Sequence, residues 1–125
     1  MKQINVYINE KLIIHKDMDQ QRDPNDPSTW QEGDILCGTW SWTMCLPEWY
    51  VIKKRTPKMF TIQEIPGKIV SGHKNGQWEE IANVNAKPEG KEIRVKINSN
   101  GEVWNKKVHL TLWDGKTPLH GDDMD

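Results

Sequence analysis

Apolar and polar residues alternate strictly in two stretches of the chain. Ile93, Val95 and Ile97 are separated by Arg94 and Lys96, and Val108, Leu110 and Leu112 by His109 and Thr111. Successive strand residues point to opposite faces, so a period of two marks a half-buried strand. Residues 4–8 repeat the pattern, with Ile4, Val6 and Ile8 flanking Asn5 and Tyr7. Three further runs, 33–37, 49–53 and 59–63, are rich in β-branched or aromatic residues and end at turn residues. Arg55-Thr56-Pro57-Lys58 is read as the turn joining the last two. Two Asn-Gly pairs separate strand-like runs: Asn75-Gly76 divides 68–71 from 77–81, and Asn100-Gly101 divides 93–97 from 102–104. Asn and Gly tolerate the positive φ that a tight hairpin turn demands, so each pair predicts a hairpin.

No window carries the 3.6-residue apolar repeat of an amphipathic helix, and seven prolines leave little room for one. A single helical turn is predicted from Pro27, capped by Ser28 or Thr29. The fold class that follows is all-β: roughly seven to nine short strands in a small SH3-like barrel or a rolled antiparallel sheet, with a short N-terminal strand. Residues 1–125 are read as one domain, with a flexible acidic loop over 17–32 and an acidic tail over 115–125.

Composition narrows this picture. The hydrophobic share of 35% is modest even with the nine glycines added, so large side chains must fill the core. Seven tryptophans can do so, each burying about 150–250 Å². Trp30, Trp49, Trp78, Trp104 and Trp113 are assigned to that core. The longest apolar run, Trp49-Tyr50-Val51-Ile52, falls far short of the ~18 residues that span a bilayer, and polar residues interrupt the N-terminal segment. Neither a membrane span nor a signal peptide is expected. Cys37 and Cys45, with seven residues between them, fit neither a zinc knuckle nor a redox pair. They are read as free thiols of a reducing, cytoplasmic compartment. His15 and His120 stand beside aspartates but are read as solvated rather than metal-binding. No nucleophile motif, paired-histidine motif or phosphate loop occurs, so a non-enzymatic protein without cofactor is expected.

The net charge is −1, but its distribution is uneven. Residues 17–34 hold six acids and one base, residues 51–113 twelve bases and six acids, and residues 114–125 four acids and one base. The middle can present a basic surface to an anionic partner although the total is near zero. Its densest part is Lys53-Lys54-Arg55, continued by Arg94 and Lys96 on one face of a strand. Trp40-Ser41-Trp42 reads two ways: core filler at a barrel end, or an aromatic platform for a planar ligand. The platform reading joins Trp40, Trp42 and Tyr50 to anion contacts from Lys53, Lys54, Arg55, Arg94 and Lys96. In it Trp113 and Asp114 pin the last strand to the Trp40 loop. The ligand expected is a nucleotide, a nucleotide-derived signal or single-stranded nucleic acid. A second reading uses exposed tryptophans as hot spots on a host protein, and a third is self-association through an unpaired strand edge.

Several segments resemble a group of small uncharacterised proteins of bacteriophages and mobile elements. These are Gly33-Asp34-Ile35, Thr39-Trp40-Ser41-Trp42-Thr43, and Trp49-Tyr50-Val51-Ile52 with its following Lys53-Lys54-Arg55-Thr56. The similarity continues through the strand from Lys58 to Ile65 and through Pro88 to Lys96. It closes at Leu112-Trp113-Asp114-Gly115-Lys116, so that it covers residues 33–118. Thr43-Met44 stands where the group has Gly-Tyr-Asp, and Thr117 intrudes before Pro118. The resemblance implies a phage-type accessory protein of a bacterial host cytoplasm, with interference in a host defence as its expected role.

Overall fold

The computed structural model describes residues 22–123, together with the backbone of two short strands ahead of them, β1 (Tyr7–Ile8) and β2 (Lys11–Leu12), which pair antiparallel. The expected N-terminal strand is thus described only at its end, and His15 and residues 17–21 of the acidic loop lie outside the described residues.

Nine strands form one antiparallel sheet: β3 (Ile35–Ser41), β4 (Cys45–Arg55), β5 (Met59–Ile65), β6 (Gly67–Gly72), β7 (Gln77–Ala82), β8 (Glu89–Lys96), β9 (Val103–Asn105), β10 (Val108–Leu112) and β11 (Leu119–Asp122). The all-β reading holds, and the sheet is rolled. Pairing runs from β8 through β5, β4, β3 and β10 to β9, and the bridge Ile97↔Val103 brings β9 back against β8. Inward positions of this ring form the main core: Trp30, Leu36, Tyr50, Ile52, Phe60 and Ile62 meet Val95, Val103, Val108 and Leu110. No helix among the described residues is long and apolar enough to cross a membrane.

The apolar run in β4 has a second purpose. Tyr50 and Ile52 enter the main core while Trp49 packs on the opposite face with Cys37, Ile65 and Ala82. Both faces of β4 are therefore covered, which is why this strand carries no polar alternation. The cover is the hairpin β6–β7 and the last strand, β11. Trp49 and Trp78 each donate an indole N–H to the buried Glu80, at 2.6 and 2.7 Å. Trp113 packs edge-on to Trp49.

Three expectations need correction. The segment 115–125, read as an acidic tail, contains β11, which pairs with β7 over four residues and with β4 at Asp122↔Cys45. Its Gly121 is buried under the Trp78 indole, where a Cβ would overlap the ring. The acidic loop is solvated at Asp23 to Asn25, but Pro27 and Trp30 are buried, and Trp30 packs at a tilt against Phe60 to close the barrel end. The predicted helical turn is a 3₁₀ turn over Pro27–Thr29, capped by Asp26 rather than by Ser28 or Thr29. Arg22 fixes this segment through two hydrogen bonds to Asp34 and one to the Thr29 carbonyl.

Both Asn-Gly hairpins form, with four-residue turns rather than two. Positive φ falls on Gly101 in one and on Gly72, before the turn, in the other. Asn98 organises the second turn by accepting from the backbone N–H groups of Asn100 and Glu102. The free edge of the sheet is β6, exposed along its length and bulged at Val70. A bulge of this kind disfavours edge-to-edge pairing.

Candidate functional site

A β-bulge sets the chemistry at the end of β4. Pairing with β5 runs Ile52↔Ile62 and then Lys54↔Thr61, so Lys53 is an inserted residue. Ile52 is buried in the core, and Arg55 turns back inward, its guanidinium 4.6 Å above the Phe60 ring. Between them Lys53 and Lys54 are both exposed. Unbroken alternation would have driven Lys54 toward the core; the bulge instead gives two successive outward lysines.

The neighbouring strands extend the cationic surface. Thr61 pairs with Lys54 on one side and Arg94 on the other, so the two cationic residues flank a hydroxyl with Cα atoms about 10 Å apart. They line an open groove of about 700 Å³ together with Lys53, Arg55, Thr56 and Met59. Glu32 and Glu92 bound it. Lys96, the next outward residue of β8, is exposed and pairs with Met59. Lys53, Lys54 and Arg94 form no ion pair with a described residue; the Arg22–Asp34 pair belongs to the capping segment.

Arg55 lines the groove but is committed elsewhere. Its N–H groups donate to the carbonyls of Pro27, Trp30, Thr56 and Pro57. It is a clamp on the barrel end, not an open anion contact. Tyr50 is also corrected: it is buried, its hydroxyl donating to Glu48 and accepting from Asn105. Burial, helped by the Glu48 carboxylate, raises its pKa strongly. Tyr50 offers no platform.

Trp40 and Trp42 part company. Trp40 lies in β3, opposite Leu46, and packs against the main core. Trp42 stands 81% exposed in the turn between β3 and β4. That turn lies at the opposite end of β4 from Lys54, about 30 Å along the strand. Trp113 and Asp114 do not reach the Trp40 end either. The Trp113 N–H bonds to the Ile35 carbonyl and its indole to the Thr117 carbonyl. Asp114 accepts from the backbone of Lys116 and Thr117 and from the Thr117 hydroxyl. Those bonds outweigh slight burial and hold its pKa low. This is turn chemistry.

The outer face carries an aromatic pair that the sequence reading assigned to the core. Trp104 is 43% exposed and stacks on His109, with ring centroids 5.0 Å apart and planes 22° from parallel. Alternation would have found it: Val103 and Val108 point inward, so Trp104 and His109 must point out. On the other side of β4 a cleft of about 640 Å³ holds Glu48, Glu64 and Glu89 beside Leu46, Trp49 and Trp78. Burial, with Glu48 and Glu89 nearby, raises the Glu64 pKa. Among the described residues no cluster of His, Cys, Asp and Glu is arranged to hold a metal ion.

Comparison with family models, with curated proteins and with solved structures finds no match to this chain.

Proposed function

We propose that the protein is a non-enzymatic binding module that takes an anionic ligand on the groove of β4, β5 and β8. The observation that carries this reading is the bulge, which turns Lys53 and Lys54 out together and across β5 from Arg94; none of the three is ion-paired with a described residue, and Glu32 and Glu92 stand at the groove's border. Keeping like charges together has a cost that a bound anion removes. Cys37 is not a candidate nucleophile, since burial pushes its thiol up to about 11, far from a thiolate at neutral pH. The ligand classes in view are a nucleotide, a nucleotide-derived signal and single-stranded nucleic acid. Sequestering any of them suits a phage-type accessory protein that interferes with a host defence.

Fluorescence anisotropy with labelled nucleotides and short oligonucleotides tests the reading. The double variant Lys54→Glu/Arg94→Glu is expected to weaken binding at least tenfold. It should also flatten the dependence of log K on log salt, since each lost phosphate contact removes a slope of about 0.7 for a single strand. No binding of any anion at low salt would overturn it.

Trp42 favours a second reading. An indole this exposed, at the tip of a hairpin, is the side chain most enriched among interface hot spots. Under that reading Trp42→Ala abolishes a host-protein complex and leaves oligonucleotide affinity unchanged. Under the anion reading alone it alters neither.

A further inference from the structure

We infer that Trp104, seated on His109, is a base-stacking platform continuous with the basic groove, which makes single-stranded nucleic acid its ligand. This rests on the anion-binding reading above and adds the group that recognises a base.

The argument is one of register. β8 and β9 meet at Ile97↔Val103, both antiparallel and both inward. One step out from that bridge, Lys96 and Trp104 occupy facing positions on the outer surface of adjacent strands. Met59 pairs with Lys96 on the far side of β8, and Trp104 pairs with His109 on β10. An outward row therefore crosses four strands as Met59, Lys96, Trp104, His109. A second outward row, Lys54, Thr61, Arg94, runs beside it, two residues and about 7 Å away along the strands. Cations thus occupy one row, and a cation followed by an aromatic stack the next.

The stack is prepared for a planar ligand. His109 covers one side of the indole, and the ring's exposure belongs to the rest of it. Its N–H is already used, donating to the Glu102 carboxylate at 3.0 Å, which orients the ring and leaves its π-face as what it offers. Lys106 and Lys107, both exposed, form the turn that ends the same hairpin. An aromatic ring flanked by backbone-tracking cations on an open sheet is the combination that binds unstacked bases without reading their edges. A duplex keeps its bases stacked and cannot use the ring, so the surface favours single strands.

The test measures anisotropy of a labelled oligothymidylate of about 12 nucleotides, an abasic strand of equal length, and inorganic polyphosphate as competitor. Trp104→Ala is expected to weaken oligothymidylate about tenfold, with an unchanged salt slope and unchanged polyphosphate affinity. Trp104→Phe should recover most of the loss, and the abasic strand should bind the native protein as weakly as oligothymidylate binds the alanine variant. If Trp104→Ala binds all three probes like the native protein while Lys54→Glu/Arg94→Glu does not, the platform is refuted and the groove stands. If the native protein binds neither polyphosphate nor oligonucleotide, the groove is refuted and the platform with it.

Discussion

Glu80→Ala is expected to destabilise the protein by about 4 kcal/mol, read as a shift in the denaturation midpoint. Glu80 is 5% exposed, and each of its carboxylate oxygens accepts from a different buried indole, that of Trp49 or of Trp78. Removing the side chain leaves two buried N–H donors without their acceptors. Each orphaned donor costs about 1–3 kcal/mol, and bonds to a charged acceptor lie toward the upper end. Glu80→Gln should recover only part of the loss, because one amide end presents a donor to a donor. The same carboxylate ties β7 to β4, so the loss should loosen the cover formed by β6, β7 and β11 before the barrel itself opens. Hydrogen exchange would register this as early loss of protection in β11. A loss below about 1 kcal/mol would mean that water replaces the carboxylate.

The parts of this fold that were legible in the sequence are those where one face is wet. Ile93, Val95 and Ile97, and Val108, Leu110 and Leu112, announced their strands because lysine, arginine, histidine and threonine filled the gaps. β11 was hidden for the opposite reason. Its burial comes through Gly121 under an indole and through Leu119 beside the Trp49 cluster, and a single apolar side chain makes no alternation to read. The candidate site was half legible. Lys53, Lys54, Arg94 and Lys96 were found by charge and do share a surface. Nearness in sequence to the lysines points to Tyr50 as an aromatic partner, whereas strand parity sends Tyr50 inward and Trp104 outward. Parity at Trp104 is legible in the sequence from Val103 and Val108. The bulge at Lys53 could be read as well, because unbroken alternation from Ile52 would bury Lys54.

That bulge also separates two residues that charge alone treats as equivalent, and substitution should separate them further. Arg55→Ala is expected to cost about 3 kcal/mol, since hydrogen bonds to a charged donor contribute about 1.5–3 kcal/mol each and several act on one segment. The guanidinium holds the carbonyls of Pro27 and Trp30 while lying over Phe60, and so keeps Trp30 on the barrel end. Arg55→Lys should recover little of this, because an ammonium cannot span carbonyls arranged for a planar fork. Lys54→Ala, with its side chain in solvent, should stay within about 0.5 kcal/mol of the native stability. Anion affinity should respond the other way: weakened by Lys54→Ala, and nearly unchanged in the Arg55→Ala protein measured below its melting range. Arg55 thus reaches the ligand only by keeping β4 in place, whereas Lys54 meets it directly. Equal effects of the two substitutions on stability and on affinity would show that the bulge does not divide them.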